Sequence, residues 1–135
     1  MISQHRQDSL GAGRKQALGL ALSSLSSPAR VSKSGASVTI ECRALDFQAT
    51  TVFWYRQFPK RGLMLMATSN VGSDATYEQG YNKDKIPISQ PDLTFSSLTV
   101  TRVDPADSSL YFCGVHTASH PGKMHFGPGT RLIVL

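Results

Sequence analysis

The chain has 135 residues and a formal net charge of +5, with 40% hydrophobic and 17% charged residues. That length favours one domain, and that apolar content is too high for a disordered chain. No stretch reaches the roughly 18–20 apolar residues needed to cross a bilayer, so the sequence as given carries no membrane anchor. The basic excess comes with no recognition-helix pattern, aromatic RNA-binding motif or zinc spacing, which argues against a nucleic-acid partner.

Residues 1–29 differ from the rest. "QDSLGAGRKQ" is polar, and the basic pair Arg14-Lys15 precedes the mildly apolar run "ALGLALSSLSSPA". That order sketches a signal peptide, with an apolar part that is short and broken by serines. Residues 1–29 are therefore expected to be an atypical leader or a poorly ordered N-terminal segment, and residues 30–135 a folded domain. From Val31 onward the chain reads as strands. Ser37–Cys42 alternates, with Val38, Ile40 and Cys42 on one face. Val52–Gln57 is β-branched and aromatic, and Pro59-Lys-Arg-Gly62 ends it as a turn. Leu63–Ala67 is a short apolar run, followed by a turn over Ser69–Asp74. Lys85–Ser89 is expected as an edge strand, because Pro87 removes a ladder donor. Leu93–Val100 alternates with a change of parity, which predicts a bulge or bend at Ser96-Ser97. Leu110–Val115 and Thr130–Leu135 complete the set. Short strands at regular spacing, with no amphipathic helix among them, predict an all-β sandwich or barrel.

Two cysteines, Cys42 and Cys113, lie far apart with no CxxC. They are either free thiols in a reducing compartment or one long-loop disulfide in an oxidising one. A loop of that length would contribute about 4 kcal/mol in the chain-entropy account. Trp54 lies between them and Tyr111 two residues before the second, in "DSSLYFC". This Cys…Trp…Cys spacing resembles an immunoglobulin domain. The resemblance implies a disulfide joining the two sheets, Trp54 packed against it, and Tyr111 bonded back to upstream backbone. Asp104–Asp107 reads as the tight turn before that strand. Asp107 is expected to accept hydrogen bonds there or to pair with a cation such as Lys85.

From about Val31 to Leu135 the chain resembles an antigen-receptor variable domain, most closely that of a T-cell receptor β chain. The stretches "KSGASVTIEC", "FWYRQFPK", "LMLMATSN", "YEQG", "DSSLYFC" and "FGPGTRLIVL" carry the likeness. F-G-x-G is the joining-segment signature, so that segment falls at about 124–135. The resemblance implies an immunoglobulin V-type β-sandwich of Greek-key topology with one inter-sheet disulfide. It implies antigen recognition as the β variable domain of an αβ T-cell receptor at the cell surface. One surface would be a sheet face carrying Tyr55, Gln57, Pro59, Leu63, Phe112 and Phe126, turned toward an α-chain variable domain. The other would be the loop end, roughly Asp46–Thr51, Ser69–Ala75 and Gly114–His125, reading peptide–MHC. The loop residues implied are Asp46, Phe47, Gln48, Thr50, Thr51, Ser69, Asn70, Ser73, Asp74, His116, Thr117, Ser119, His120 and Lys123. Signalling subunits would act only in a full-length receptor, since no constant domain or transmembrane helix follows Leu135 in the sequence given.

Other readings are an antibody light-chain variable domain, which shares F-G-x-G, an adhesion V-type domain, and a nonproductive receptor transcript. "YRQFPK" and "YFCGV" favour the T-cell side, and "FGPGT" argues against an adhesion domain. His116, His120 and His125 suggest zinc, but no Cys or acidic fourth ligand accompanies them, and no metal or other cofactor is expected. There is no G-x-S-x-G and no phosphate-binding glycine loop, so no enzyme is expected. Asn70 and Asn82 lack the glycosylation sequon. The likeness departs at the front, where Ile2-Ser-Gln-His5 or Ser26–Val31 would have to supply a first strand. An under-built edge there exposes backbone donors and lowers stability.

Overall fold

The computed structural model describes residues 29–44, 48–58, 60–117 and 120–135. All but the last residue of the expected leader lies outside them. The strands are β1 (Ala29–Ser32), β2 (Val38–Arg43), β3 (Ala49–Phe58), β4 (Gly62–Asn70), β5 (Thr76–Tyr77), β6 (Ile88–Asp92), β7 (Phe95–Val100), β8 (Ser109–Thr117), β9 (His120–Phe126) and β10 (Thr130–Val134). A 3-10 turn spans Pro105–Asp107.

The larger sheet has the order β1-β10-β8-β3-β4-β5, with β9 also on β8, and the smaller has the order β2-β7-β6. β1 pairs with β10 in parallel, Val31 opposite Ile133. β9 and β10 pair with successive parts of β8, Gly114 opposite Phe126 and Tyr111 opposite Thr130. Side chains that alternate inward from both sheets fill the core: Val38, Ile40 and Cys42 from β2, Val52 and Trp54 from β3, Leu98 and Val100 from β7. β8 adds Tyr111, Cys113 and Val115, and β10 adds Leu132 and Val134. Cys42 and Cys113 form the disulfide between the sheets, Cα atoms 6.3 Å apart. Trp54 sits beside Cys113 in the β3–β8 register. A register shift between Trp54 and Tyr55 leaves Met66 as the extra residue of β4. This bulge turns both Met66 and Ala67 into the core, which strict alternation would forbid.

At the foot of β8 the Tyr111 hydroxyl donates to the Asp107 carbonyl at 2.6 Å. The Asp107 carboxylate accepts from Lys85 Nζ at 2.9 Å and from the Asp104 amide at 3.0 Å. The Asp104 carboxylate accepts from the Ala106 amide at 2.8 Å, closing a capping box around the 3-10 turn. Arg56 lies over the Phe58 ring, 4.3 Å from its centroid, and donates to the Ala106 carbonyl. Burial pushes the Tyr111 phenol above the ordinary tyrosine range, with the Arg56 charge opposing it. A group whose folded pKa is raised stabilises the fold fully below its unfolded pKa, about 10 for tyrosine, and loses that contribution as pH climbs through the folded value. Tyr111→Phe is expected to cost about 1–3 kcal/mol at pH 8 by orphaning the Asp107 carbonyl. It should also flatten the decline of stability above pH 10. Urea unfolding at pH 8 and pH 11 checks both.

Two expected elements are corrected. The Lys85–Ser89 strand begins instead at Ile88. The Lys85 and Pro87 carbonyls accept from the Thr101 and Thr99 amides, but proline has no N–H to return, so two-way pairing starts one residue later. β7 itself is not interrupted at Ser96-Ser97: it runs in unbroken register against β2 from Val38–Val100 to Arg43–Phe95, and the register shift at this level falls on β6, between Ser89 and Asp92. Ser96 keeps the inward phase and Phe95 stays outside, with Arg43 4.5 Å above its ring. A short first strand falls partly within Ser26–Val31: β1 pairs with β10, and among the described residues no strand pairs with the outer side of β2.

Candidate functional site

The sheet face opposite the core carries an aromatic cluster. Tyr55 stacks on Phe112 with centroids 5.5 Å apart, and Phe126 meets Tyr55 at 5.8 Å and Phe112 at 6.0 Å. Gly114 makes room for the Phe126 ring, since a Cβ there would fall 2.7 Å from its Cε1. Gln57 is exposed and lies between Leu63 of β4 and Leu110 of β8 in the two registers. Phe126 is 49% and Leu63 53% exposed. Large apolar side chains this open on one sheet face mark an interaction surface. The phenol of Tyr55 is raised above its ordinary range by its partial burial. Of the expected interface set the structure thus gathers Tyr55, Gln57, Leu63, Phe112 and Phe126, while Pro59 lies outside the described residues.

The expected loop residues divide into groups. Gln48, Asn70, Ser73 and Asp74 are exposed at or near strand ends, and Lys123 is exposed in the middle of β9. Asp46, Phe47 and Ser119, and the side chain of His120, lie outside the described residues. The rest belong to strands, because β3, β4 and β8 run further than the sequence pattern indicates. Thr117 is buried at the end of β8. Thr50 donates to the His116 carbonyl at 3.1 Å, and Thr51 donates to Asn70 Oδ1 at 2.9 Å. Ser69 is buried and donates to Gln90 Oε1 at 2.6 Å. These hydroxyls hold loop bases together rather than opening to solvent. His116 is half-buried, its ring 5.2 Å from Phe53 in an edge contact.

Gln90, which the sequence pattern gave no reason to single out, bridges this end. Its amide donates to the Ala49 carbonyl at 3.3 Å while its oxygen accepts from Ser69. It thereby ties the start of β3 and the end of β4 on the larger sheet to the edge strand of the smaller one. A cavity of about 520 Å³ opens beside it, lined by Ser69, Ser73, Asp74, Tyr77 and Lys83 among others. Among the described residues no group of three or more His, Cys, Asp or Glu is placed to hold a metal ion.

Comparison with known proteins is in accord with this geometry. The immunoglobulin V-set domain model matches residues 26–135. Human T cell receptor beta variable 20-1 is 69% identical over 87 residues, which are 64% of this chain and 78% of the relative. The chain belongs to the T-cell receptor β variable family. Human T cell receptor beta variable 29-1 is 57% identical over 81 residues, 60% of this chain and 72% of the relative. A solved chain from a study of T-cell specificity and activation by the bacterial superantigen toxic shock syndrome toxin-1 superposes with a TM-score of 0.76 at 52% identity. That match covers 79% of this chain and 92% of the solved one. As a T-cell receptor β variable domain it is an antigen-recognition domain, and its two candidate surfaces are the aromatic sheet face and the end where the loops meet.

Proposed function

We propose that this β variable domain pairs with an α-chain variable domain through the sheet face and reads peptide–MHC with its loop end, as part of a cell-surface receptor. The observation that carries the pairing is the aromatic cluster of Tyr55, Phe112 and Phe126, continued by exposed Leu63 and crossed by the exposed amide of Gln57. An amide at the centre of such a face can exchange hydrogen bonds with a like amide on a pseudo-symmetric partner. Residues 30–135 act as the variable unit and about 124–135 as its joining segment. Residues 1–29 precede it as an atypical leader or N-terminal segment. On the loop end, Gln48, Asn70, Ser73, Asp74 and Lys123 supply adaptable polar contacts. Signalling subunits engage only through a full-length receptor. The likeness to a chain studied with a bacterial superantigen supports a superantigen as a second partner.

Co-expression of the chain with T-cell receptor α variable domains and, separately, with antibody heavy-chain variable domains tests the pairing by size-exclusion chromatography. The expected result is a heterodimer with α domains. Gln57→Arg should weaken it about tenfold or more, because a guanidinium would be desolvated without a partner. A dimer formed with heavy chains instead would overturn the reading in favour of an antibody domain.

A further inference from the structure

The two sheets separate at the edge farthest from β1, where β5 ends the larger sheet and β6 the smaller. Two side chains cross the gap between them. Ser69 of β4 donates to Gln90 Oε1 of β6 at 2.6 Å. The Tyr77 hydroxyl of β5 donates at 3.0 Å to the carbonyl of Ile86, just ahead of β6. These bonds set the width of the gap, and Ser69, Gln90 and Tyr77 all line the cavity of about 520 Å³ that fills it. That volume lies in the range of small-molecule sites.

The cavity wall has hydrogen-bonding capacity to spare. Ser69 is only 2% exposed, and its proton goes to Gln90, which leaves the Oγ lone pairs as acceptors. Gln90 donates one amide hydrogen to the Ala49 carbonyl and keeps the second. The bonds already made hold both groups in place. Tyr77 is half-buried. Burial pushes its phenol above the ordinary range, the Ile88 amide opposes that, and the Asp74 carboxylate adds to the rise. Asp74 therefore stands near that ring, and Lys83 and Asp84 continue the rim. Among the described residues, Asp74, Lys83 and Asp84 form no ion pair with one another or with any other group.

We propose that this cavity is a saccharide site that takes a neutral hexopyranose unit. Charges of both signs on one rim work against an ion: a cation would face Lys83, and an anion would face Asp74 and Asp84. A neutral polyol suits the same rim, because carboxylates accept from its hydroxyls while the ammonium donates to its oxygens. On the buried wall Ser69 accepts and Gln90 donates. The C–H face of a pyranose is apolar and packs on the Tyr77 ring, beside Pro87 and Ile88. The buried polar groups are positioned before the ligand arrives, which lowers the ordering cost of binding. The site lies at the β5–β6 edge, away from the aromatic cluster, so it does not depend on the pairing reading.

Protein-observed NMR of the full 135-residue chain with the methyl glycosides of glucose, galactose and mannose tests this. At least one should shift the amides of Ser69, Tyr77, Lys83 and Gln90 saturably, with a Kd of about 1 mM. Asp74→Ala and Gln90→Leu should each raise that Kd about fivefold or more, since each removes a hydrogen-bonding partner. Asp74 is exposed and makes no hydrogen bond among the described residues, so its variant reads binding without disturbing the fold. Glu41→Ala, which removes a carboxylate from the opposite edge strand of the smaller sheet, should leave the Kd unchanged. At pH 6 the cationic glucosamine and the anionic N-acetylneuraminic acid should both bind more weakly than the best neutral glycoside. No saturable shift with any of the three glycosides overturns the proposal. So does binding that is indifferent to either folded variant, equally weakened by Glu41→Ala, or tighter for either charged sugar.

Discussion

Replacing Trp54 by alanine is expected to remove about 3–5 kcal/mol of stability. That is a large part of the roughly 5–15 kcal/mol that holds a domain of this size folded. The indole is completely buried at the centre of the core cluster. It stands beside Cys113 of the inter-sheet disulfide on one side and Ala67 on the other. Losing it opens a cavity that neither sheet can readily close, because the disulfide fixes their separation and the β2–β7 and β3–β8 ladders keep each sheet in shape. The cost has a polar part as well. Trp54 Nε1 donates at 3.1 Å to Ser96 Oγ, which is itself fully buried. Without the indole that hydroxyl loses its donor, which costs about 1 kcal/mol or more. Urea unfolding measures the total as a fall in the midpoint at unchanged slope. Trp54→Phe separates the two parts: it keeps most of the apolar volume and loses the N–H. Adding Ser96→Ala to Trp54→Phe should then recover part of the loss, since removing both partners of a buried hydrogen bond is cheaper than removing one.

Ser96 also marks the limit of what the sequence could reveal. The central inward positions of β2, β3 and β8 are apolar, so their alternation stands out, and the cysteine, tryptophan and tyrosine spacings agree with it. β7 is read wrongly because its first inward residue is a serine and its first outward residue is a phenylalanine. Polarity alone inverts their faces and suggests a bulge. The indole that makes serine suitable at 96 comes from β3, distant in the chain, and local periodicity carries no trace of it. The loop end follows the same logic. Thr50, Thr51, Ser69 and Thr117 are polar and read as loop, yet their hydroxyls or their burial serve strand ends. Gln90 had no signal at all, because its partners, Ser69 and Ala49, belong to other strands. The sheet face was legible, since consecutive aromatic residues in "FWY" and "YF" must divide between core and surface at a period of two.

Gly129→Ala is expected to cost about 2–5 kcal/mol and to disturb the partner face in the same step. Gly129 stands between β9 and β10 with φ +87, where a side chain costs about 1–2 kcal/mol for backbone reasons alone. The site is also closed: a Cβ would meet Phe112 Cβ and the Tyr111 carbonyl oxygen, each at 2.8 Å, and Leu110 Cδ1 at 3.3 Å. The first two are backbone or backbone-proximal atoms of β8 and cannot turn away, so overpacking adds about 1–3 kcal/mol. Gly72 supplies the control. It has a similar φ of +80 but nothing within 4 Å of a built Cβ, so Gly72→Ala should show the backbone cost alone. The gap between the two variants in urea unfolding therefore measures the close approach at Gly129. The displaced residue is Phe112, on which Tyr55 stacks and which Phe126 meets edge-on. The strain at Gly129 should therefore reach the proposed α-chain pairing, with heterodimer affinity falling in Gly129→Ala and holding in Gly72→Ala. Equal stability losses in the two variants would mean that β8 yields to the added methyl, and the glycine would then be required only for its backbone angle.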